Sequence, residues 1–164
     1  MEYKTPVGLI NVEAYNGFIV ELSFVGGIKV PPFRPKNELK EQTQIKHKNE
    51  EALAECFKQL DDYFAGNLKE FTVPILMNGT PFRMLVWKAL QGIPYGETIS
   101  YKELAIRIGN PLAIRAVGGA NHHNPISIIV PCHRVIGANG KLVGFGGGMD
   151  KKEILLNHEK MSKI

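Results

Sequence analysis

The strongest constraint on the fold is a change in hydrophobic periodicity partway along the chain. Apolar residues at 9–14 and 18–24 form two short runs around the hairpin dipeptide Asn16-Gly17, a pattern typical of antiparallel strands. From 50 to 64, apolar residues recur at spacings of three and four, which indicates an amphipathic helix. No single period produces both elements, so the sequence predicts a mixed α/β (α+β) fold that begins with strands.

The region between these elements and the rest of the chain predicts two domains. Residues 26–48 are polar and contain three closely spaced prolines, so we expect a loop or an irregular excursion there. A strand-like run at 71–76 precedes an Asn-Gly pair at 78–79, where we place a turn and a boundary. The prediction is a small, strand-rich N-terminal α/β domain at 1–79 and a mainly helical domain at 80–164.

The second half predicts three short helices in succession. Thr80 and Pro81 are suited to cap and to begin the first helix. A capping box at 100–103 opens the second, and a Gly-Asn-Pro break at 109–111 separates it from a third helix at 112–120. Two short helices joined by a tight glycine turn form a helix-turn-helix pattern, although many helical hairpins never contact DNA.

The last part of the chain combines an apolar run with a possible reactive centre. Residues 126–130 are apolar and rich in β-branched side chains, which predicts a buried strand. This run leads into 131–137, which contains Cys132. A glycine-rich loop at 144–148 and a final helix at 150–159 follow.

Positive charge is concentrated in the second half. Residues 1–80 contain nine Lys and Arg against eleven Asp and Glu, a balance of −2, whereas residues 81–164 contain eleven against five, a balance of +6. A polyanion would therefore dock on the second half. Charge alone is a weak indication of DNA binding, because many small proteins are mildly basic.

The composition excludes several classes of protein. With 44% hydrophobic and 22% charged residues, the chain is an ordinary globular sequence, and no apolar run approaches the roughly 18–20 residues that cross a bilayer. The N-terminus lacks the basic-then-apolar pattern of a signal peptide. Because Cys56 and Cys132 are the only cysteines, neither a disulfide framework nor a zinc cluster is expected. We expect a cytoplasmic monomer that binds no metal and no membrane.

Cys132 and His133 are the adjacent residues best suited to chemistry. A thiol is a strong nucleophile only as the thiolate, which requires a nearby base or a positive field. In an extended strand, successive side chains point to opposite faces, so these two could not touch directly. Either the chain turns after Pro131, or a water relays the proton. Taken alone, a buried cysteine beside an incidental histidine is the more common arrangement.

Several motifs of the second half resemble the O6-alkylguanine-DNA alkyltransferases, also called methylated-DNA–protein-cysteine methyltransferases. The motifs are Val130-Pro131-Cys132-His133-Arg134-Val135-Ile136-Gly137, Arg115-Ala116-Val117-Gly118-Gly119-Ala120, Asn124-Pro125, Lys152-Glu153, Leu155-Leu156 and His158-Glu159. The likeness is continuous from Pro81 to Glu159, and 5–8 resembles the family's less specific N-terminal domain. It implies a suicidal DNA repair methyltransferase, which moves a methyl or other alkyl group from O6-alkylguanine irreversibly to its own cysteine.

The resemblance also implies a role for each catalytic residue. Cys132 is the nucleophile, and His133 takes the thiol proton through a bound water. Glu159 holds His133 in the useful tautomer and favours its charged form. Asn124 braces the turn that carries the cysteine, while Tyr101 protonates or polarises the leaving guanine. No cofactor or metal is implied, because the substrate supplies its own electrophile.

The implied partner is double-stranded DNA that contains O6-alkylguanine. The alkylated nucleotide must be flipped into a pocket, and Arg115 fills the space that it leaves in the stack. In this family the third helix enters the minor groove, unlike the usual recognition helix. The small residues around Arg115 would allow this helix to approach the narrow groove closely. The expected DNA contacts are Arg115, Tyr101, Lys102, Asn110, Ala113, Ala116, Gly118 and Gly119.

The loop at 144–148 is implied to form a wall of the guanine pocket. Val135 supplies a backbone acceptor for the exocyclic amine, and Phe145 stacks on the base. Phe145 and Gly146 stand where the human-type pattern has Tyr and Ser, so a hydroxyl is lost and backbone amides replace it. Because Gly147 has no side chain, we expect this wall to leave room for a group as large as benzyl.

Three alternatives have different functional consequences. A regulatory DNA-binding protein could use Cys132 to sense alkylators or oxidants, but the chain offers no additional effector domain. A cysteine hydrolase would turn over repeatedly on an ester, whereas an alkyl acceptor keeps one equivalent of alkyl group. A non-catalytic lesion binder of the same fold would lack the cysteine.

Overall fold

The N-terminal sheet is an antiparallel meander of three strands in the order β1-β2-β3. The computed structural model describes residues 1–33, 43–140, 142 and 145–163. The strands are β1 (Glu2–Thr5), β2 (Gly8–Tyr15) and β3 (Phe18–Phe24). Asn16 and Gly17 both have positive φ, 47° and 83°, as a two-residue hairpin turn requires. The predicted hairpin is therefore present, and β1 is an additional strand that the apolar pattern did not reveal.

Helix α1 (Thr43–Phe64) packs on this sheet through one buried face. It begins earlier than the predicted residue 50, so the expected loop at 26–48 is wrong over its last residues. Residues 26–33 contain no helix or strand, and 34–42 lie outside the described residues. The buried residues of α1 are Ala52, Cys56, Gln59, Leu60 and Tyr63.

The strand expected at 71–76 is reduced to a single parallel bridge between Ile75 and Ile19. Ile19 donates its N–H to the carbonyl of Pro74 (2.8 Å) and accepts from Leu76 (2.9 Å). Because Pro74 has no N–H to donate, the pairing cannot continue as a regular ladder.

The second half contains the three predicted helices. They are α2 (Pro81–Leu90), α3 (Tyr101–Arg107) and α4 (Ile114–His122). Thr80 caps α2 by accepting the N–H of Arg83 (3.2 Å). Helix α4 starts at 114 rather than 112, because residues 111–112 form a turn. Its start carries no side-chain cap.

Two short strands and a last helix complete the described fold. Strand β4 (Ile99–Ser100) pairs in parallel with β5 (Val135–Ile136), and Ser100 Oγ caps α3 by accepting the N–H of Glu103 (3.0 Å). Helix α5 (Met149–Met161) extends slightly beyond the predicted 150–159. No helix in the described ranges has both the length and the apolar character that crossing a bilayer requires. The predicted α/β class is confirmed.

The buried strand expected at 126–130 is wrong, although its burial is right. Ile126, Ile128 and Val130 are at most 1% exposed, but Ile126 makes only an isolated bridge to Leu22. Ile128 has a φ of 70°, which breaks any extended conformation and is rare for a β-branched residue. Burial of apolar side chains does not decide backbone conformation, and here the backbone turns.

A single hydrophobic core spans both halves of the chain. The two halves are also joined by backbone bonds: Leu22 donates to the carbonyl of Pro125 (3.0 Å), and Ser127 donates to that of Leu22 (2.9 Å). Strand β3 is thus anchored to the segment that precedes Cys132. The N-terminal sheet helps to position the candidate site.

Candidate active site at Cys132

Cys132 begins a 3-10 turn, Cys132–Arg134, directly after Pro131. The cysteine is 4% exposed and His133 is fully buried. The turn closes with a bond from the N–H of Arg134 to the carbonyl of Pro131 (3.1 Å). Of the two possibilities left open by the sequence, the chain therefore does turn after Pro131.

Two asparagines hold the backbone around this turn. Asn124 donates from Nδ2 to the carbonyl of Val130 (2.8 Å) and accepts from the N–H of Ile126 (3.0 Å). Asn121, on the buried face of α4, donates to the carbonyl of Cys132 (3.3 Å). Asn124 thus makes the backbone hydrogen bonds that its expected bracing role requires. Asn121 was not expected, because nothing in its neighbourhood marks it in the sequence.

His133 is paired with Glu159 in the interior. Its Nε2 lies 2.6 Å from Oε2 of Glu159, and within the described ranges Nδ1 has no hydrogen-bond partner. Because a carboxylate accepts, the proton of neutral His133 belongs on Nε2 and the lone pair on Nδ1.

Other groups converge on the same carboxylate. Arg134 donates from Nε to Oε1 (2.7 Å) and from Nη2 to Oε2 (3.1 Å) of Glu159. Tyr63, from α1, donates its hydroxyl to Oε2 (2.6 Å). The N–H of Gly96 is 3.3 Å from Oε1. Neither Arg134 nor Tyr63 was predicted to contribute to the site.

This network decides the charges of the pair. Burial alone would raise the pKa of Glu159, but the bonds and charges of His133 and Arg134 outweigh it, so the pKa is lowered. Burial lowers the pKa of His133, although Glu159 opposes that shift. Glu159 is therefore ionised at neutral pH while His133 is neutral, and a neutral imidazole can accept a proton.

Cys132 lies in surroundings that partly offset its burial. Burial raises the pKa of the thiol, whereas a hydrogen bond with Asn124 and the charge of Lys152 lower it. Lys152 is fully buried and donates from Nζ to the carbonyl of Val135 (2.5 Å). Burial lowers the pKa of Lys152 to about 8. A buried cation near the cysteine favours the thiolate.

A helical pattern could have identified Lys152. Lys152, Leu155 and Glu159 are the buried residues of α5, and their spacings of three and four place them on one helix face. A lysine on an apolar helix face is rare unless it has a specific partner. Lys152 belongs to the Lys152-Glu153 motif of the family, but the resemblance implied no role for it.

Tyr101 lies between the cysteine and the helix expected to bind DNA. It is half-buried at the start of α3, and a Cβ on Gly118 of α4 would lie 3.9 Å from its ring. Nζ of Lys152 is 5.8 Å from the ring centroid. Burial raises the pKa of Tyr101, and the negative charge of Cys132 adds to this. Tyr101 is thus protonated at neutral pH and can donate.

The residues expected to contact DNA lie on the surface of α3, α4 and the turn between them. Arg115, Ala116 and Gly119 form the exposed face of α4, opposite its buried residues. Lys102 and Asn110 are also exposed, whereas Ala113 and Gly118 are half-buried. The small side chains on α4 leave its backbone accessible.

The expected pocket residues are only partly brought together. Gly146 and Gly147 line a cavity of about 10 Å³ beside Cys132. Val135 is fully buried, and its carbonyl already accepts from Lys152. Phe145 is 7% exposed and packs edge-on against another phenylalanine rather than facing that cavity. Residue 144 of the expected loop lies outside the described residues.

The open wall expected at Gly147 is wrong. A Cβ on Gly147 would overlap the ring of Phe24, the last residue of β3. The space left by the glycine is thus occupied by a side chain from the first half of the molecule. The residues next to Gly147 in the sequence carry no sign of its contact with Phe24.

Across the described ranges, no three His, Cys, Asp or Glu side chains gather in the geometry of a metal site. Around Cys132, Asn124 and Lys152 donate to backbone carbonyls, and His133 bonds to Glu159. The site consists of a buried thiol, an imidazole–carboxylate pair and a buried lysine.

Comparison with known proteins identifies the same architecture. Residues 81–161 match the 6-O-methylguanine DNA methyltransferase DNA-binding domain, and 2–77 match the ribonuclease-like domain of the same family. The chain is 46% identical over 163 residues to a methylated-DNA–protein-cysteine methyltransferase of Mycolicibacterium paratuberculosis, covering 98% of this chain and 93% of that protein. A protein of the same name from Methanosarcina acetivorans is 60% identical over 111 residues, 68% and 71% of the two chains.

A solved structure supports this result in three dimensions. The crystal structure of Mycobacterium tuberculosis OGT in complex with DNA has a TM-score of 0.81 and 42% identity, covering 98% of this chain and 92% of that chain. The predicted resemblance is confirmed over both halves. This chain belongs to the 6-O-methylguanine DNA methyltransferase family.

Proposed function

We propose that this protein is a methylated-DNA–protein-cysteine methyltransferase that repairs O6-alkylguanine in double-stranded DNA by moving the alkyl group to Cys132. The observation that carries this is the environment of the thiol. Cys132 lies beside a neutral His133 whose Nε2 is held by an ionised Glu159. This arrangement can remove a proton from a thiol within the core of a protein of this family.

The first step is proton transfer from Cys132. His133 Nδ1 carries the free lone pair, and a water between it and Sγ relays the thiol proton. The resulting imidazolium is stabilised by Glu159, which Arg134 and Tyr63 keep in place and ionised. The charge of Lys152 stabilises the thiolate that forms.

The second step is displacement at the alkyl carbon. The thiolate forms the new sulfur–carbon bond while the carbon–O6 bond breaks, and its electron pair remains on the guanine. The guanine then takes a proton from Tyr101, whose hydroxyl is protonated at neutral pH, and the proton held on His133 returns to the tyrosinate through water. The product thioether is a poor leaving group, so each protein molecule reacts once.

DNA binding follows from charge and burial. Cys132 is 4% exposed, so a guanine within a duplex cannot reach it unless the nucleotide is flipped out. Arg115 occupies the vacated position, and its small neighbours on α4 let the helix enter the minor groove. Lys102, Asn110 and the other surface residues named above contact the DNA backbone, which gives binding with little sequence preference.

The guanine is held mainly by backbone groups. Gly146 and Gly147 border the cavity beside Cys132 and offer N–H groups to the base. The carbonyl of Val135 has one lone pair engaged by Lys152 and a second for the exocyclic amine. Phe145 supports this wall from within the core instead of stacking on the base. The two free thiols fit a protein that acts in the reducing cytoplasm, where we propose that it acts as a monomer.

The test is the intact mass of the protein before and after mixing with a duplex that contains O6-methylguanine. We expect a gain of one methyl group per protein, located on Cys132, without further turnover. Repeated release of methanol, or a methyl group on another residue, would contradict the proposal. Sustained hydrolysis of an ester would instead favour a cysteine hydrolase.

A further inference from the structure

The cavity beside Cys132 is built by both halves of the chain. Cys132, Gly146 and Gly147 supply one side, whereas Phe24 and Ile28 supply another. Phe24 ends strand β3, and Ile28 follows it in the segment that leaves the sheet. The N-terminal half therefore shapes the space next to the reactive sulfur although it supplies no reactive group.

Backbone contacts hold this N-terminal segment against the glycine loop. The N–H of Ile28 donates to the carbonyl of Gly146 (2.9 Å). A Cβ on Gly27 would lie 2.7 Å from that carbonyl oxygen and 3.3 Å from Cα of Gly147, so only glycine allows the approach. The two segments consequently behave as one wall.

The ring of Phe24 occupies the space beside Gly147 that a side chain at that position would need. Phe24 is 4% exposed, and a Cβ on Gly147 would overlap its ring. The ring also packs edge-on against Phe145, with centroids 5.8 Å apart and an interplanar angle of 65°. Because close-packed side chains resist displacement, this ring cannot move aside without disturbing the core.

We propose that Phe24 and Ile28 determine the size of the alkyl group that Cys132 accepts, selecting methyl over benzyl. This inference rests on the proposed function. The cavity volume of about 10 Å³ is that of about one small solvent molecule, which suits a methyl group. A benzyl ring would have to displace Phe24 or Ile28, and overpacking of this kind is unfavourable.

The selection acts on entry rather than on bond chemistry. For either group, the Cys132 sulfur forms a bond to the carbon attached to O6, the carbon–oxygen bond breaks, and the guanine takes the electron pair and a proton. A benzylic carbon is intrinsically at least as reactive as a methyl carbon in nucleophilic displacement. Slower benzyl transfer would therefore report exclusion from the cavity.

The experiment compares two duplexes of the same sequence, one with O6-methylguanine and one with O6-benzylguanine. Single-turnover rates are measured for the wild type, Phe24→Leu and Ile28→Ala. Phe18→Leu is the matched control, because Phe18 lies on the same strand, is 38% exposed and does not line the cavity. We expect the wild type and the control to prefer methyl.

In Phe24→Leu and Ile28→Ala, the benzyl rate should rise about tenfold or more, while the methyl rate changes less than about threefold. Ile28 is 42% exposed, so Ile28→Ala decides the question if Phe24→Leu fails to fold. Unchanged benzyl rates in variants that still transfer methyl would overturn the inference, as would a wild type that transfers both groups equally fast. Absence of methyl transfer in the wild type would instead refute the proposed function itself.

Discussion

Each half of the molecule buries one cysteine, and the two differ in what surrounds them. Cys56, on α1, is fully buried, and burial raises the pKa of its thiol to about 12. Cys132 is buried nearly as deeply, and burial raises the pKa of its thiol as well, but a hydrogen bond with Asn124 and the charge of Lys152 oppose that shift. A buried thiol is therefore inert unless charge and hydrogen bonds are buried with it.

The halves also contribute in different ways to one site. The second half carries the balance of +6 and all of the groups proposed to react. The first half contributes Tyr63, which bonds to Glu159, and Phe24, which lines the cavity. One half supplies the chemistry while the other supplies its support and its shape.

Exchange of alanine for each cysteine tests the comparison most severely. Cys132→Ala should abolish methyl transfer while the protein remains folded. Cys56→Ala should transfer one methyl per protein but lose about 1–2 kcal/mol of stability, because it leaves a small cavity in the core. Intact mass and denaturant unfolding measure the two effects. Loss of methyl uptake in a folded Cys56→Ala protein would break the contrast.

Removal of the buried charge should have the next largest effect. Lys152→Met is expected to slow methyl transfer about 100-fold, since the thiolate loses its cation. Lys151→Met is the control, because Lys151 precedes it on the same helix and is only partly buried. Equal rates in these two variants, measured in single-turnover assays, would show that Lys152 does not assist the thiolate.

The same variant should change stability in a pH-dependent way. Burial lowers the pKa of Lys152 from 10.5 to about 8, so the folded protein disfavours its charged form. The resulting cost is fully present below pH 8 and is relieved as the pH rises toward 10.5. Lys152→Met should therefore stabilise the protein at pH 7, and this gain should shrink by pH 10. Denaturant unfolding of both proteins at pH 7 and pH 10 measures this gain in the free energy of unfolding. A gain that grows with pH would contradict the prediction.

The charge contrast between the halves can be tested on DNA. Arg115→Ala should slow repair of duplex DNA about tenfold, equivalent to roughly 1.4 kcal/mol, and should affect transfer from free O6-methylguanine much less, because the free base needs no flipping. Lys58→Ala removes an exposed positive charge from the first half and should change neither rate. Equal losses on both substrates in Arg115→Ala would indicate damage to the pocket instead.

The smallest expected effect concerns the support that α1 gives to Glu159. Tyr63→Phe should lower stability by about 1–2 kcal/mol and slow methyl transfer a few-fold. Tyr3→Phe is a matched control, since Tyr3 donates to Asp61 (2.5 Å) in an exposed tyrosine–carboxylate pair, and should cost less than about 1 kcal/mol. Unfolding and single-turnover rates that are indistinguishable between the two variants would remove the first half from the catalytic network.

Local sequence patterns predicted much of this molecule. The Asn16-Gly17 turn, the Thr80 and Ser100 caps and the amphipathic face of α1 each depend on neighbours within a few residues. The turn at Cys132 was one of two possibilities, because successive side chains on an extended strand point to opposite faces. The motif resemblance directed attention to Glu159 and Asn124.

Contacts between distant residues could not be predicted from the sequence. Tyr63 and Glu159 are 96 positions apart, and Phe24 meets Gly147 from the other half of the chain. Neither contact is specified by a local pattern, because the pattern around one partner does not say which distant residue it meets. The run 126–130 shows the same limit, because its apolar side chains required burial but left the backbone free to turn. Apolar and capping patterns therefore determined the local elements, whereas the packing of the two halves determined the charge, support and size of the site.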